Sequence, residues 1–337
     1  MSSTPEEHPF AEYVRILARG KSKSLPLSED EAFTAMRLIL AGEVEDLQLG
    51  AFLMLMRHKE ETPEEVAGFV RACRESLVLP ESPPQVDIDW SSYAGKRRQL
   101  PWFLLAALAL AASGLRIFMH GSSGHTAGRL YTAPALEALG LPIADSLPTA
   151  AGQLAENGFA YLPLEGLNPV LHRIIGLKPL LGLRSPVHTI ARMLNPFAAD
   201  CLLQGVFHPG YLDIHRGAAA LLEQPRMAVI RGEGGEIECR PSKPMAVKSL
   251  SGGRLQEEEW PPLLAEARQP HDEALDPGRL VALWRGKIED EYGTAAVVGT
   301  MALALRTIGQ ADDPVAALEQ ARALWAARDM GQLGAAA

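Results

Sequence analysis

Residues 100–129 read LPWFLLAALALAASGLRIFMHGSSGHTAGR. The apolar run from Leu100 to Ser113 is long enough for a buried helix, and shorter than the roughly 18 to 20 residues that span a bilayer. Leu115 to Met119 then reads as a strand, a Gly/Ser/Thr loop follows, and a helix is expected from Ala133 to Leu139. The same alternation continues on both sides. Val86-Asp87-Ile88, Phe159 to Leu162, Leu202 to Phe207 and Met227 to Arg231 read as further strands, with a helix from Leu212 to Glu223 between the last two. Strands alternating with helices imply an α/β fold with a mostly parallel central sheet.

The first 80 residues read as helices only. Ser28 with Glu31, and Thr62 with Pro63 and Glu65, are capping boxes opening two of them. Between these, Leu47 to Met56 is apolar with Gly50 inside, which allows a close helix contact in this domain or with a second subunit. Pro80, Pro83 and Pro84 form a linker. The expected organisation is a small all-helical domain over 1–79, joined by part of 166–199, and a large α/β phosphate-cleft domain over 85–330. The latter closes with helices Arg279 to Trp284, Glu291 to Leu305 and Val315 to Arg328. Glu257-Glu258-Glu259 and Glu289-Asp290-Glu291 read as helix starts. Cys73, Cys201 and Cys239 are far apart, and the N-terminus is polar and acidic. These features give no zinc spacing, no disulfide framework and no secretory leader, so a cytoplasmic, membrane-free protein is expected.

Charge is unevenly sorted. The chain carries 41 acidic and 32 basic residues, a net charge of −9. Three windows nevertheless contain no acid: Ser91 to Leu136, with Lys96, Arg97, Arg98, Arg116 and Arg129; Gly166 to Ala199, with Arg173, Lys178, Arg184 and Arg192; and Cys239 to Gln256, with Arg240, Lys243, Lys248 and Arg254. A mixed solvated surface does not segregate charge in this way, so these windows read as a basic surface, against the alternative that they are buried and poor in all charge. The loop from Met119 to Arg129 adds three glycines, the hydroxyls of Ser122, Ser123 and Thr126, and a following helix N-terminus. Together these suit an oxyanion cradle, although no Walker loop is present. Asp87 and Asp89 flank a strand end and could bind Mg²⁺, but Asp at such a position more often caps a turn.

Several motifs resemble the anthranilate phosphoribosyltransferase family (glycosyltransferase family 3), and the likeness covers nearly the whole chain. Ala41-Gly42-Glu43 with Gln48 to Leu53 resembles its early helix pair. His120-Gly121 falls at its Lys-His-Gly-Asn loop, and Leu181-Gly182-Leu183-Arg184-Ser185 with Asn195-Pro196 resembles its Leu-Gly-x-Arg-Thr and Asn-Pro segments. The resemblance implies a nucleoside phosphorylase or phosphoribosyltransferase-type fold. The departures are equally specific. The family's diphosphate-wrapping Gly-Thr-Gly-Gly-Asp aligns with Trp90-Ser91-Ser92-Tyr93-Ala94. Its Asp-Glu metal pair falls near Ile237-Glu238, its acceptor-binding Arg at Lys178, and an Asn at His188.

Trp90 to Arg98, His120 to His125 and Arg184 to Thr189 further resemble a branch that has lost the transferase chemistry and binds DNA and RNA, as homodimers, through a basic groove. That likeness implies a non-catalytic, sequence-independent nucleic-acid binder, with phosphates held by Lys96, Arg97, Arg98, His120, Gly121, Ser122, Ser123, His125, Thr126, Arg129, Lys178, Arg184, His188 and Arg192. Trp90, Tyr93 or Trp102 would stack on bases. No catalytic residue, cofactor or metal is expected, Glu238 being a lone remnant of the metal pair, and a homodimer would form through the helical domain. Two other readings stand beside this one: an active phosphoribosyltransferase, needing Mg²⁺, with an anthranilate-like or other acceptor, and a binder of small phosphorylated metabolites.

Overall fold

The computed structural model describes residues 7–20, 23–122, 124, 126–266, 271–272, 274–331 and 333. Its N-terminal part is helical: α1 (Ala11–Ala18), α2 (Glu29–Leu40), α3 (Asp46–Lys59) and α4 (Pro63–Glu75). Both expected capping boxes form. Ser28 and Thr62 accept from the N–H groups of Glu31 and Glu65, and the two glutamates bond back to the cap residues. Buried Glu65 also accepts from Leu27 N–H at 2.8 Å, which fastens the chain entering α2. The close helix contact falls at Gly68 rather than Gly50. A Cβ on Gly68 would lie 2.1 Å from Glu29 O, whereas Gly50 has open space beside it. Arg74 of α4 donates to the carbonyls of Leu194 and Met193 at 2.8 and 2.9 Å, tying the helices to the segment that precedes the fourth strand.

The α/β part holds one seven-stranded sheet in the order β3-β2-β1-β4-β5-β6-β7. The strands are β1 (Ile88–Ser92), β2 (Ile117–Gly121), β3 (Phe159–Pro163), β4 (Cys201–Val206), β5 (Arg226–Arg231), β6 (Met245–Ser251) and β7 (Arg254–Trp260). The first five are parallel and the last two antiparallel, so the expected mostly parallel sheet is present. Alternate residues feed two cores. Trp90, Met119, Leu203 and Ala228 face one, with helices Phe103–Ala112 and Glu291–Ile308. Phe118, Ala160, Leu202 and Met227 face the other, which is continuous with the helical domain. Burial on both faces is what a parallel sheet demands of its strands.

Three expectations need correction. The first strand runs from Ile88 to Ser92, not Val86 to Ile88: the Asp87 carboxylate instead accepts from Arg116 N–H at 2.7 Å, just before the strand begins. Glu257-Glu258-Glu259 lie within β7 rather than at a helix start. The β6–β7 hairpin was not expected. Its turn is Gly252-Gly253, both with positive φ (54° and 76°), which suits a two-residue hairpin turn. Among the described residues, no helix is long and apolar enough to cross a membrane.

Candidate active-site cleft

In an open parallel sheet, loops at the carboxyl ends of the strands diverge where the strand order reverses, leaving a crevice for ligands. Here the reversal lies between β1 and β4. The loop leaving β1 carries Tyr93, Ala94, Gly95 and Lys96; Phe207 and His208 leave β4; and the β5–β6 connection supplies Gly234, Gly235 and Glu236. A cleft with a cavity volume of about 100 Å³, partly open to solvent, is lined here by Arg57, Glu61, Arg184, His188, Arg192, Phe207, His208, Tyr211, His215 and the two glycines.

The backbone of the β1 loop faces a carboxylate from its own chain. Ala94 N–H and Gly95 N–H both donate to Glu236 Oε1, each at 2.6 Å. Gly95 has φ +64°, and a Cβ there would press on Tyr131, Arg129 and Leu130 at 3.1–3.2 Å. Lys96 is buried, and its ammonium lies 2.5 Å from Glu238 Oε1 and 2.9 Å from Glu233 Oε2. Burial alone would push Lys96 down, but Glu238 and Glu233 outweigh it and hold the group above its ordinary range. The second oxygen of Glu238 accepts from Phe103 N–H at 2.9 Å, at the start of a helix.

Arg192 is buried with its guanidinium 5.5 Å from the centre of the Tyr93 ring. Burial pulls it down to about 10, against the opposing attraction of Glu236, and its Nε has no hydrogen-bond partner among the described residues. Arg184 is lowered by burial and then by Arg129, and Lys178 by burial and then by Arg184 and Arg129. Neither Arg184 nor Lys178 has a carboxylate within ion-pair distance among the described residues. On the opposite wall Arg57 donates to Tyr211 Oη, which donates on to Glu61, each at 2.9 Å. Behind the β1 loop, Tyr93 Oη meets His120 Nδ1 at 2.7 Å and His120 Nε2 meets Asp89 Oδ1 at 3.1 Å, all buried.

The expected site residues therefore separate into groups. Arg184, His188 and Arg192 come together in the cleft, with Lys178 and Arg129 coupled to Arg184 by charge. Lys178 also donates to Thr126 Oγ1 at 3.1 Å. Arg129 donates to the carbonyls of Ala94 and Gly95, so it braces the β1 loop. His120 and Gly121 belong to β2 itself and are buried, as is Ser122 beside them. Arg97 and Arg98 are exposed. Ser123 and His125 lie outside the described residues. Arg57, Glu61 and Tyr211 were not expected. Glu61 directly precedes the Thr62 cap and Arg57 ends an apolar helix, so neither stood out from ordinary helix-end charge.

The three acid-free windows do not form a free basic surface. Acids from elsewhere reach into them: Glu233 and Glu238 take Lys96, and Asp213 takes Lys248 at 2.6 Å. Trp90, Tyr93 and Trp102 are at most 1% exposed, so none can stack on a base.

Known proteins share this fold. Residues 11–77 match the helical bundle domain of the glycosyl transferase family. Over 237 residues the chain is 32% identical to the anthranilate phosphoribosyltransferase of Erythrobacter litoralis (strain HTCC2594), spanning 68% of both proteins. The chain belongs to the anthranilate phosphoribosyltransferase family. The Syntrophobacter fumaroxidans enzyme of that name is 29% identical over 85% of the chain and 86% of its own length. The anthranilate phosphoribosyltransferase structure from Thermus thermophilus superimposes with a TM-score of 0.76 at 25% identity, covering 93% of this chain and 94% of that one. A Saccharomyces cerevisiae anthranilate phosphoribosyltransferase structure, in complex with PRPP and Mg, shares the fold with a TM-score of 0.75 at 18% identity, over 96% of each chain. The expectation of a non-catalytic nucleic-acid binder is thereby overturned: these relatives are named as transferases. The expectation that no cofactor is needed finds no support in the family, one of whose structures carries Mg.

The residues of this chain do not fit that ion as they stand. Among the described residues no group of three or more His, Cys, Asp or Glu could hold a metal. Glu238 and Glu233 are bonded to Lys96, and Glu236 to backbone amides. Mg²⁺ is usually held by one or two carboxylates together with waters and substrate phosphates, and here each of these three carboxylates already has a partner from this chain on at least one oxygen.

Proposed function

We propose that the chain is an active phosphoribosyltransferase, moving a phosphoribosyl group from phosphoribosyl pyrophosphate to an anthranilate-like or other aromatic acceptor in the cleft between the helical and α/β parts. The observation that carries this reading is the set of cations around the strand-order reversal: Arg184 and Lys178, with no carboxylate within ion-pair distance among the described residues, and buried Arg192, in a chain of this family. Guanidinium groups bind phosphate through charge-assisted, often bidentate hydrogen bonds, and do so most strongly where water is partly excluded. Trp90 and Tyr93 bury their rings at the β1 strand end, and Ala94 and Gly95 supply the backbone N–H donors of that loop. Glu61 and Tyr211, on the opposite wall, stand where an acceptor amine would find a hydrogen-bond acceptor.

The direct test is release of pyrophosphate from phosphoribosyl pyrophosphate, with anthranilate and a panel of aromatic amines, in Mg²⁺ and in chelator. Turnover with one acceptor supports the reading. No release with any acceptor in either condition sinks it. Pairing of two copies through α3 belongs to the same proposal: Leu47 is 89% exposed there and Gly50 leaves room beside it. Sedimentation of the wild type against Leu47→Glu measures it; a monomeric wild type refutes the pairing.

A further inference from the structure

The β1 loop and the segment that follows β5 contain both charges that a cation-bridged diphosphate would need, supplied by the chain itself. Ala94 N–H and Gly95 N–H converge on one point, filled by Glu236 Oε1 at 2.6 Å from each. Two successive backbone N–H groups aimed at one oxygen form a small anion-binding concavity. Glu236 is held poorly in return. Its other oxygen, Oε2, is buried and has no hydrogen-bond partner among the described residues. A carboxylate oxygen taken out of water without a partner is costly, so an anion that satisfies more of its oxygens would displace it.

Three more features bear on the exchange. Arg192 is buried, its Nε has no partner among the described residues, and Glu236 is the first carboxylate that opposes its loss of charge. A ligand oxygen replacing Glu236 would inherit that attraction. The loop that leads to it is rich in glycine: Gly232, Gly234 and Gly235 precede Glu236, the last two with φ of 68° and 103°, conformations that glycine carries without strain. Nearby, Lys96 places a buried ammonium between Glu238 and Glu233. A positive charge already stands among the acids, where a divalent ion would otherwise be drawn.

We infer that Glu236 is a built-in competitor for the Ala94–Gly95 amide pair and Lys96 a built-in replacement for a divalent cation, so that this site takes up a phosphate or diphosphate group by expelling Glu236, without metal. The inference deepens the transferase reading by naming how its donor site opens, and it rests on that reading only for the identity of the donor.

The test is calorimetric titration of inorganic pyrophosphate into the full chain, with Mg²⁺ and with chelator, for the wild type, Glu236→Gln and Glu236→Asp. The wild type is expected to bind equally in both conditions. Glu236→Gln keeps the shape but removes the competing charge, and should bind about tenfold more tightly without metal, the worth of one charge-assisted hydrogen bond. Glu236→Asp, which reaches less far, should shift the same way by less, and serves if the Gln variant does not fold. A wild type too weak to measure, with metal-free binding by Glu236→Gln, also supports the inference. Binding that appears only with Mg²⁺, or substitution at Glu236 that leaves binding unchanged or weaker, overturns it. Turnover is not read here, so failure of the transferase assay leaves this result standing, and the converse holds.

Discussion

Lys96 Nζ and Glu238 Oε1 lie 2.5 Å apart, and each side chain is 1% exposed. Removing one member of such a pair strands the other charge in a poor solvent, which costs about 3–5 kcal/mol. Lys96→Met should therefore destabilise the fold by that order in urea unfolding. Adding Glu238→Gln to it should recover part of the loss, because the stranded charge is then gone. A Lys96→Met cost below about 1 kcal/mol would show that the pair is not closed in solution.

Arg184 is half-buried, and no carboxylate pairs with it among the described residues. Arg184→Ala should thus leave thermal stability nearly unchanged. If the side chain holds substrate phosphate, apparent affinity should fall roughly 10- to 100-fold, the range for a lost charge-assisted contact. Steady-state kinetics and a melting curve on the same sample check both halves. Loss of stability without loss of affinity would remove Arg184 from the site.

His215 is buried, pushed down from 6.5 to about 3 by burial and then by Arg192. Its Nδ1 meets Gln204 Oε1 at 2.6 Å, while Gln204 Nε2 donates to Arg192 O. Gln204 therefore accepts from the ring, which stays neutral with its proton on Nδ1. The folded value lies below the unfolded one, so as pH falls the unfolded chain binds the proton first. The stabilisation is complete above about pH 6.5 and is lost progressively toward pH 3. Between about pH 7.5 and 5.0 this amounts to about 2 kcal/mol. His215→Gln should flatten the pH dependence of urea stability by that order, and an unchanged slope would refute the account.

Gly205 of β4 supports the β5–β6 segment. A Cβ at that position would sit 2.3 Å from the carbonyl carbon of Glu236 and 2.4 Å from Ile237 N, both backbone atoms that cannot step aside. Gly205→Ala should cost about 1–3 kcal/mol by overpacking. It should also loosen Glu236 from the β1 loop, visible as faster amide exchange at Ala94 and Gly95. A change in stability alone, with exchange at those amides unaltered, would separate Gly205 from the site.

Much of the architecture was legible in the chain. The period-3.6 pattern behind the two capping boxes and the alternation of apolar runs gave the helical domain and the parallel strands nearly to their ends, apart from β1, which starts where the expected strand stops. The hairpin was legible too. Gly252-Gly253 between alternating runs is a turn signal, passed over because three adjacent glutamates look like a helix N-terminus. The site was harder for a different reason. Window counting sees only neighbours in sequence, whereas Lys96 pairs with Glu233 and Glu238 from beyond the fifth strand, and Glu236 reaches back 141 positions to Gly95. An acid-free stretch marks where a chain receives charge from elsewhere as readily as where it offers charge to a ligand. Trp90 and Tyr93 mislead in the same way: aromatic residues beside basic ones suggest stacking, but the strand end they occupy is covered on both faces.

The exposed outer strand β7 ends the sheet with Glu257, Glu258 and Glu259 in a row. A free strand edge is a template on which another chain can add, and like charges facing each other across such a seam oppose that addition. Glu257 and Glu258 already pair with Arg216 and Arg306 of this chain, so among the described residues Glu259 is the charge left to oppose self-association, and the fibrillar growth that would follow from it, along this edge.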